Sequence, residues 1–136
     1  MSDFPITIFH NPACGTSRNT VAMVRAAGYE PEVVEYLQAG WTKPQLQELL
    51  AAMGAKPRDI LRDKGTPAAE LGLLNPNVSD DAILDAMVEH PILVNRPIVV
   101  TPKGVKLARP SEAVLDLLER KPQSFTKEDG EVVQLP

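Results

Sequence analysis

Ile6-Thr7-Ile8-Phe9-His10-Asn11-Pro12-Ala13-Cys14-Gly15-Thr16-Ser17-Arg18-Asn19-Thr20 decides the fold class of this 136-residue chain. Its apolar start predicts a short strand over residues 5–10, with Pro5 tolerated at the edge. Val21, Val24 and Ala27 then recur at helical spacing, so a helix is expected from about Ser17 to Ala27, stopped by Gly28. Glu32-Val33-Val34-Glu35-Tyr36-Leu37 reads as a second strand. Strand, helix and strand within about thirty residues make a βαβ unit, which implies parallel strands and a right-handed crossover.

The loop between the first strand and its helix carries the chemistry. It holds Cys14, the only cysteine, and His10, one of two histidines. A helix start presents unpaired N–H groups and partial positive charge, which favour a thiolate or a bound oxyanion. The same field lowers a thiol's pKa. Cys14 is therefore the candidate nucleophile, against the ordinary reading of a lone cysteine as a small buried hydrophobe. Gly15 permits close backbone approach, and Thr16 and Ser17 can cap the helix or donate to an oxyanion. His10 is placed to stabilise the thiolate or exchange a proton with it, or to serve only as a structural loop residue. Arg18 reads as a solvated residue of the first turn. A cysteine-phosphatase loop would need arginine where Thr20 stands, and a dithiol motif would need cysteine where Ser17 stands.

Composition bounds the rest. With 43% hydrophobic and 24% charged residues the chain is expected to form one domain over 1–136, with no bilayer-spanning run. A net charge of −4 argues against nucleic-acid or membrane-surface partners, so basic residues that matter must converge locally. The N-terminus lacks signal-peptide character, which makes a cytoplasmic location the expectation. One cysteine and two scattered histidines make a metal site improbable.

Thr42-Lys43-Pro44-Gln45 opens a helix with a capping-box pattern, and Leu46, Leu49, Leu50 and Met53 give it an apolar face up to Gly54. Short helical pieces follow at 58–62 and 67–71, and Ser79-Asp80-Asp81 caps a third through Ile83, Leu84, Met87 and Val88. Residues 91–97 read as an extended or turning approach. Ile98–Thr101 and Val105–Ala108 form a hairpin about a turn at Pro102-Lys103-Gly104. Ser111 is expected to cap a last amphipathic helix, and the polar end beyond Pro122 to be loosely held. The order predicts an α/β fold: a mixed four-stranded sheet with flanking helices and an added helical region at about 43–90.

The 6–20 stretch resembles the active-site signature of the glutaredoxin- and glutathione-linked arsenate reductases. His90-Pro91-Ile92-Leu93-Val94-Asn95-Arg96-Pro97-Ile98-Val99-Val100-Thr101-Pro102 resembles that family's second block. Arg109-Pro110-Ser111-Glu112 resembles its third, and Phe125-Thr126-Lys127-Glu128-Asp129-Gly130-Glu131 a motif near its end. The resemblance implies a thioredoxin-like fold, with Pro97 at the position of that fold's cis-proline. It implies Cys14 as the nucleophile toward arsenate, His10 assisting it, and Arg62, Arg96 and Arg109 binding the substrate. It further implies glutathione as co-substrate, glutaredoxin as protein partner, no bound cofactor, and a role in arsenic resistance.

Guanidinium groups suit a tetrahedral oxyanion. Arsenate reduction takes two electrons, and a chain with one cysteine must take its second thiol from outside. Two rival readings remain at this level. One is a regulator of the same fold that binds a partner such as RNA polymerase, which would not need His10, Cys14 and the arginines together. The other is a glutathione-dependent thiol oxidoreductase, which would need the cysteine but no arginine-lined pocket.

Overall fold

The structure, a computed structural model, describes residues 4–119, 124–126, 130 and 132–134. The chain divides into two compact units, Met1–Glu35 with Arg96–Pro136, and Tyr36–Asn95.

The first unit is built on four strands: β1 (Thr7–His10), β2 (Glu32–Glu35), β3 (Ile98–Thr101) and β4 (Gly104–Leu107). Their order is β2-β1-β3-β4, with β1–β2 parallel and the other two pairs antiparallel, the mixed sheet expected from the sequence. Helix α1 (Gly15–Ala26) connects the parallel pair. Ile8 stands opposite both Val33 and Val99, so these three side chains share one face. They belong to a core with Val21, Met23 and Val24 of α1 and Val114, Leu115 and Leu117 of a 3-10 helix at Ser111–Leu117. Ile8, Met23, Val24, Val99 and Val114 are fully buried. Each such side chain contributes about 1.5–3 kcal/mol by leaving water.

Several boundaries differ from the sequence expectation, each for a local reason. Helix α1 begins at Gly15 rather than near Ser17, because extended Cys14 is its N-cap and the Cys14 carbonyl accepts from Arg18 N–H at 3.0 Å. β2 ends at Glu35, since Tyr36 and Leu37 enter a short helix, α2 (Tyr36–Ala39). Burial of the Tyr36 ring, which stacks on Trp41 and donates its hydroxyl to the Val94 carbonyl at 3.2 Å, overrides the strand preference. Ser111 does not cap the last helix: Pro110 holds that position, and Ser111 Oγ instead donates to Glu112 Oε1. The end of the chain, expected to be loose, contains an antiparallel pair, β5 (Ser124–Thr126) with β6 (Val132–Gln134). Of the block at 125–131, residues 127–129 and 131 lie outside the described residues.

The second unit is helical, as the expected insertion requires. Helix α3 (Lys43–Met53) carries the full capping box: Gln45 N–H donates to Thr42 Oγ1 at 3.2 Å, and Thr42 N–H donates to Gln45 Oε1 at 3.4 Å. It stops at Gly54, whose φ of 67° is the left-handed conformation that favours glycine. A 3-10 turn at Pro57–Ile60 follows. The piece at 67–71 closes only one helical turn, Leu71 N–H to the Pro67 carbonyl, and is otherwise turn structure. Helix α4 (Asp80–Glu89) is capped by Ser79, whose Oγ accepts from Ala82 N–H. Lys43 bridges Asp81 and Asp85, tying α3 to α4, while Leu46, Ile60, Ile83, Met87 and Leu93 fill the interior. A 3-10 turn at Pro91–Leu93 occupies the approach to β3. Among the described residues no helix is long and apolar enough to cross a membrane.

Candidate active site

Antiparallel pairing puts the end of β1 beside the start of β3, because Phe9 stands opposite Ile98. The β3–β4 hairpin is open at that same end. Ile98 pairs with Leu107, and one step outward Ala108 N–H donates to the Pro97 carbonyl at 2.9 Å. The next pair out is Arg96 and Arg109, linked by Arg109 Nη1 donating to the Arg96 carbonyl at 2.9 Å. Both arginines precede prolines joined by cis peptide bonds, Pro97 at the position the resemblance implied and Pro110 in addition. The sheet therefore delivers two guanidinium groups to the edge where β1 empties into the Cys14 loop.

Cys14 sits at that edge with only 8% of its surface exposed. Arg109 Nη1 lies 3.8 Å from its sulfur, Arg96 also hydrogen-bonds the sulfur, and Ser17 N–H donates to it from the first turn of α1. Burial pushes the thiol's pKa up. The Arg96 hydrogen bond, the Ser17 N–H, the Arg96 charge and the Arg109 hydrogen bond push it down, and the balance lies below the ordinary thiol value. The loop itself is held by Asn11, which is buried: Ala13 N–H donates to its Oδ1 at 2.9 Å, and Cys14 N–H donates to its carbonyl at 3.0 Å. The Asn11-Pro12 dipeptide was the readable turn signal for this anchoring role, which sequence reasoning passed over.

His10 reaches the cysteine's surroundings through Ser17. Its Nδ1 is 2.7 Å from Ser17 Oγ, which also accepts from Asn11 N–H at 3.1 Å. Burial lowers the His10 pKa, nearby Glu35 raises it, and Arg18 and Arg25 lower it, for a net value below 6.5. A neutral ring fits the bonding, with the Ser17 hydroxyl donating to Nδ1 and the ring proton on Nε2. Ser17, read from sequence as a cap or oxyanion donor, thus serves Cys14 with its N–H and His10 with its hydroxyl. No sequence spacing announces a bond between residues seven apart across a strand–loop–helix junction.

Arg62 lies in the second unit. Its N–H donates to the Leu93 carbonyl at 2.8 Å, Nε to the Lys64 carbonyl at 3.1 Å and Nη1 to Asn95 Oδ1 at 3.3 Å. Among the described residues no cluster of three or more His, Cys, Asp or Glu side chains is arranged to hold a metal ion.

The chain is similar to several known proteins. An arsenate reductase of Synechocystis sp. is 60% identical over 134 residues, covering 98% of this chain and 93% of its own. An Escherichia coli arsenate reductase is 54% identical over 129 residues, covering 94% and 92%. Among solved structures, an arsenate reductase from Vibrio cholerae superposes with a TM-score of 0.81 at 37% identity, covering 86% of this chain and all of its own. The family model described as the ArsC family matches residues 9–117, which include Cys14, Arg62, Arg96 and Arg109. The chain belongs to the ArsC family.

Proposed function

We propose that this protein reduces arsenate to arsenite, with Cys14 as the nucleophile and glutathione and glutaredoxin as the source of electrons. The observation that carries the reading is the lone cysteine at a helix N-cap with Arg96 and Arg109 both bonded to its sulfur. A purely partner-binding protein has no use for two guanidinium groups that favour the thiolate of a lone cysteine.

Arsenate brings negative charge to this edge, as a mixture of monoanion and dianion near neutral pH. Arg96 and Arg109 neutralise it and orient the oxyanion against Cys14, and Arg62 is the third guanidinium of the proposal. The Cys14 thiolate attacks arsenic, an As–O bond breaks, and the departing oxygen takes up protons and leaves as water. This forms a Cys14 S–As(V) adduct. A glutathione thiolate then attacks the Cys14 sulfur, forming an S–S bond and breaking S–As. The electron pair of that bond stays on arsenic, which becomes As(III) and leaves as arsenite. A glutaredoxin thiolate attacks the glutathione sulfur of the mixed disulfide and frees Cys14. Two thiols are oxidised and one arsenic is reduced by two electrons, so the balance closes. His10 assists Cys14 in this scheme through Ser17, whose hydroxyl bonds the His10 ring and whose N–H bonds the Cys14 sulfur.

The test is arsenate-dependent NADPH oxidation by the full chain with glutathione, glutaredoxin and glutathione reductase. The wild type should turn over and Cys14→Ser should fall to background. Equal rates for the two would overturn the reading.

A further inference from the structure

Outside the Cys14 site, a groove of about 430 Å³ is lined by His10, Arg18, Val21, Ala22 and Arg25. Residues 18, 21, 22 and 25 follow i, i+3, i+4, i+7 spacing, so the groove runs along one face of α1, the helix whose N-cap is Cys14. Its walls are basic: Arg18 and Arg25 are exposed arginines, and His10 forms the side next to the sheet. His10 lines the groove while its Nδ1 is bonded to Ser17 Oγ. The floor is apolar, from Val21 and Ala22. In a chain of net charge −4, two arginines at one concavity favour a bound anion there, the neutral His10 ring adding no charge.

We infer that this groove holds one carboxylate end of the peptide thiol that attacks the Cys14 adduct. The inference rests on the proposed reaction and assigns a place to its co-substrate. Distance selects one end rather than the whole molecule. With a rise of about 1.5 Å per residue, Arg18 lies about 6 Å and Arg25 about 16 Å along the helix from Cys14. An extended tripeptide spans about 10 Å, and glutathione carries its thiol on the central residue. A tripeptide lying wholly between Arg18 and Arg25 would leave its sulfur short of Cys14. With one terminal carboxylate at the Arg18 end of the groove, the central thiol, about half the tripeptide's span away, reaches the start of the helix.

Arg18 is already braced for this, since its Nη1 donates to the Pro12 carbonyl of the Cys14 loop at 2.7 Å. Two carboxylates of the protein compete. Glu30 pairs with Arg25 at 3.4 Å, and Glu35 acts on His10 across the β1–β2 pair. The Arg25–Glu30 pair is exposed on both sides and therefore weak, so an incoming carboxylate can displace it.

The experiment compares wild type, Arg18→Ala and Arg25→Ala in two measurements. The first is the glutathione dependence of arsenate turnover in the coupled assay. The second is binding of S-methylglutathione, which lacks a free thiol and needs no turnover, followed by calorimetry or NMR shifts. Each variant should raise the glutathione KM roughly fivefold, with the arsenate KM changed by less than about twofold, and weaken S-methylglutathione binding by the same factor. Added salt should weaken the wild type more than the variants. Arg25→Ala keeps the test clear of the Cys14 loop, which Arg18 touches. Unaltered glutathione KM in both variants would overturn the inference. So would a rise confined to the glutaredoxin KM, which would make the groove a protein-docking surface. If the chain proves unable to turn over arsenate, S-methylglutathione binding that the variants lose still supports the groove, and absence of binding to wild type overturns it.

Discussion

Arg109 stands 95 positions from Cys14 in the chain, yet its Nη1 lies 3.8 Å from the Cys14 sulfur. The pairing that brings them together is structural before it is chemical. β1 and β3 pair antiparallel, β3 and β4 form a hairpin, and the hairpin's open end therefore lies beside the exit of β1. Arg96 and Arg109 are opposed across that open end, and Arg109 is anchored to the Arg96 carbonyl.

Two positive charges on one sulfur set the first prediction. The Cys14 thiol has a pKa below its ordinary value, so iodoacetamide alkylation should reach half its plateau rate below about pH 8.5. Arg96→Ala and Arg109→Ala should each move that midpoint upward. A wild-type midpoint at or above the free-thiol reference, or midpoints that do not move in the variants, would contradict the assignment.

The same arginines should matter to arsenate. Hydrogen bonds to charged groups are worth about 1.5–3 kcal/mol, so Arg96→Ala or Arg109→Ala should lower kcat/KM for arsenate roughly tenfold to a hundredfold or more. Lysine at either site restores charge but not the planar fork and should recover only part of the loss. Arg62→Ala is expected to act in the same direction. Steady-state kinetics with circular dichroism as a check on folding read these outcomes, and unchanged arsenate kinetics would remove the residue concerned from the site.

His10 gives a pH prediction. Its pKa in the folded chain is below 6.5, so the folded state binds fewer protons than the unfolded state between the two pKa values. The His10 contribution to stability is present above pH 6.5 and is lost as pH falls through the folded pKa. An NMR titration should find its midpoint below 6.5, and Ser17→Ala should alter that midpoint by removing the hydroxyl on Nδ1. A wild-type midpoint above 6.5 would be inconsistent with a neutral ring accepting from the Ser17 hydroxyl.

The core makes a stability prediction independent of chemistry. Ile8 is fully buried at the centre of the sheet, opposite Val33 and Val99. Ile8→Ala should cost about 2–5 kcal/mol, visible as a lower midpoint in urea at unchanged slope. A loss under about 1 kcal/mol would mean that the site collapses around the deletion.

What the sequence shows and hides follows from the range of each interaction. The Thr42–Gln45 capping box, the Gly54 stop and the Ser79 cap are contacts within one turn, and local pattern reveals them. The β3–β4 hairpin is announced by β-branched residues around Pro102-Lys103-Gly104. Tyr36 defeats such reading because its strand preference yields to a hydroxyl bond with Val94, 58 positions away. At the site, the position of Cys14 between strand and helix made it visible. Arg96 and Arg109 are individually ordinary, and only their register at the open end of the hairpin makes them a pair. Ser17 could be named as a first-turn hydroxyl, but its service to both His10 and Cys14 depends on the fold of the loop.

The central claim is that Cys14 carries the arsenic and then the glutathione. Intact-mass analysis of the full chain tests it directly, after incubation with arsenate and glutathione but without glutaredoxin. The account predicts one glutathionyl group on Cys14, arsenite released in equal amount, and neither product when arsenate is omitted or Cys14→Ser is used. Arsenite formed without the adduct, or by the Cys14→Ser protein, would contradict it.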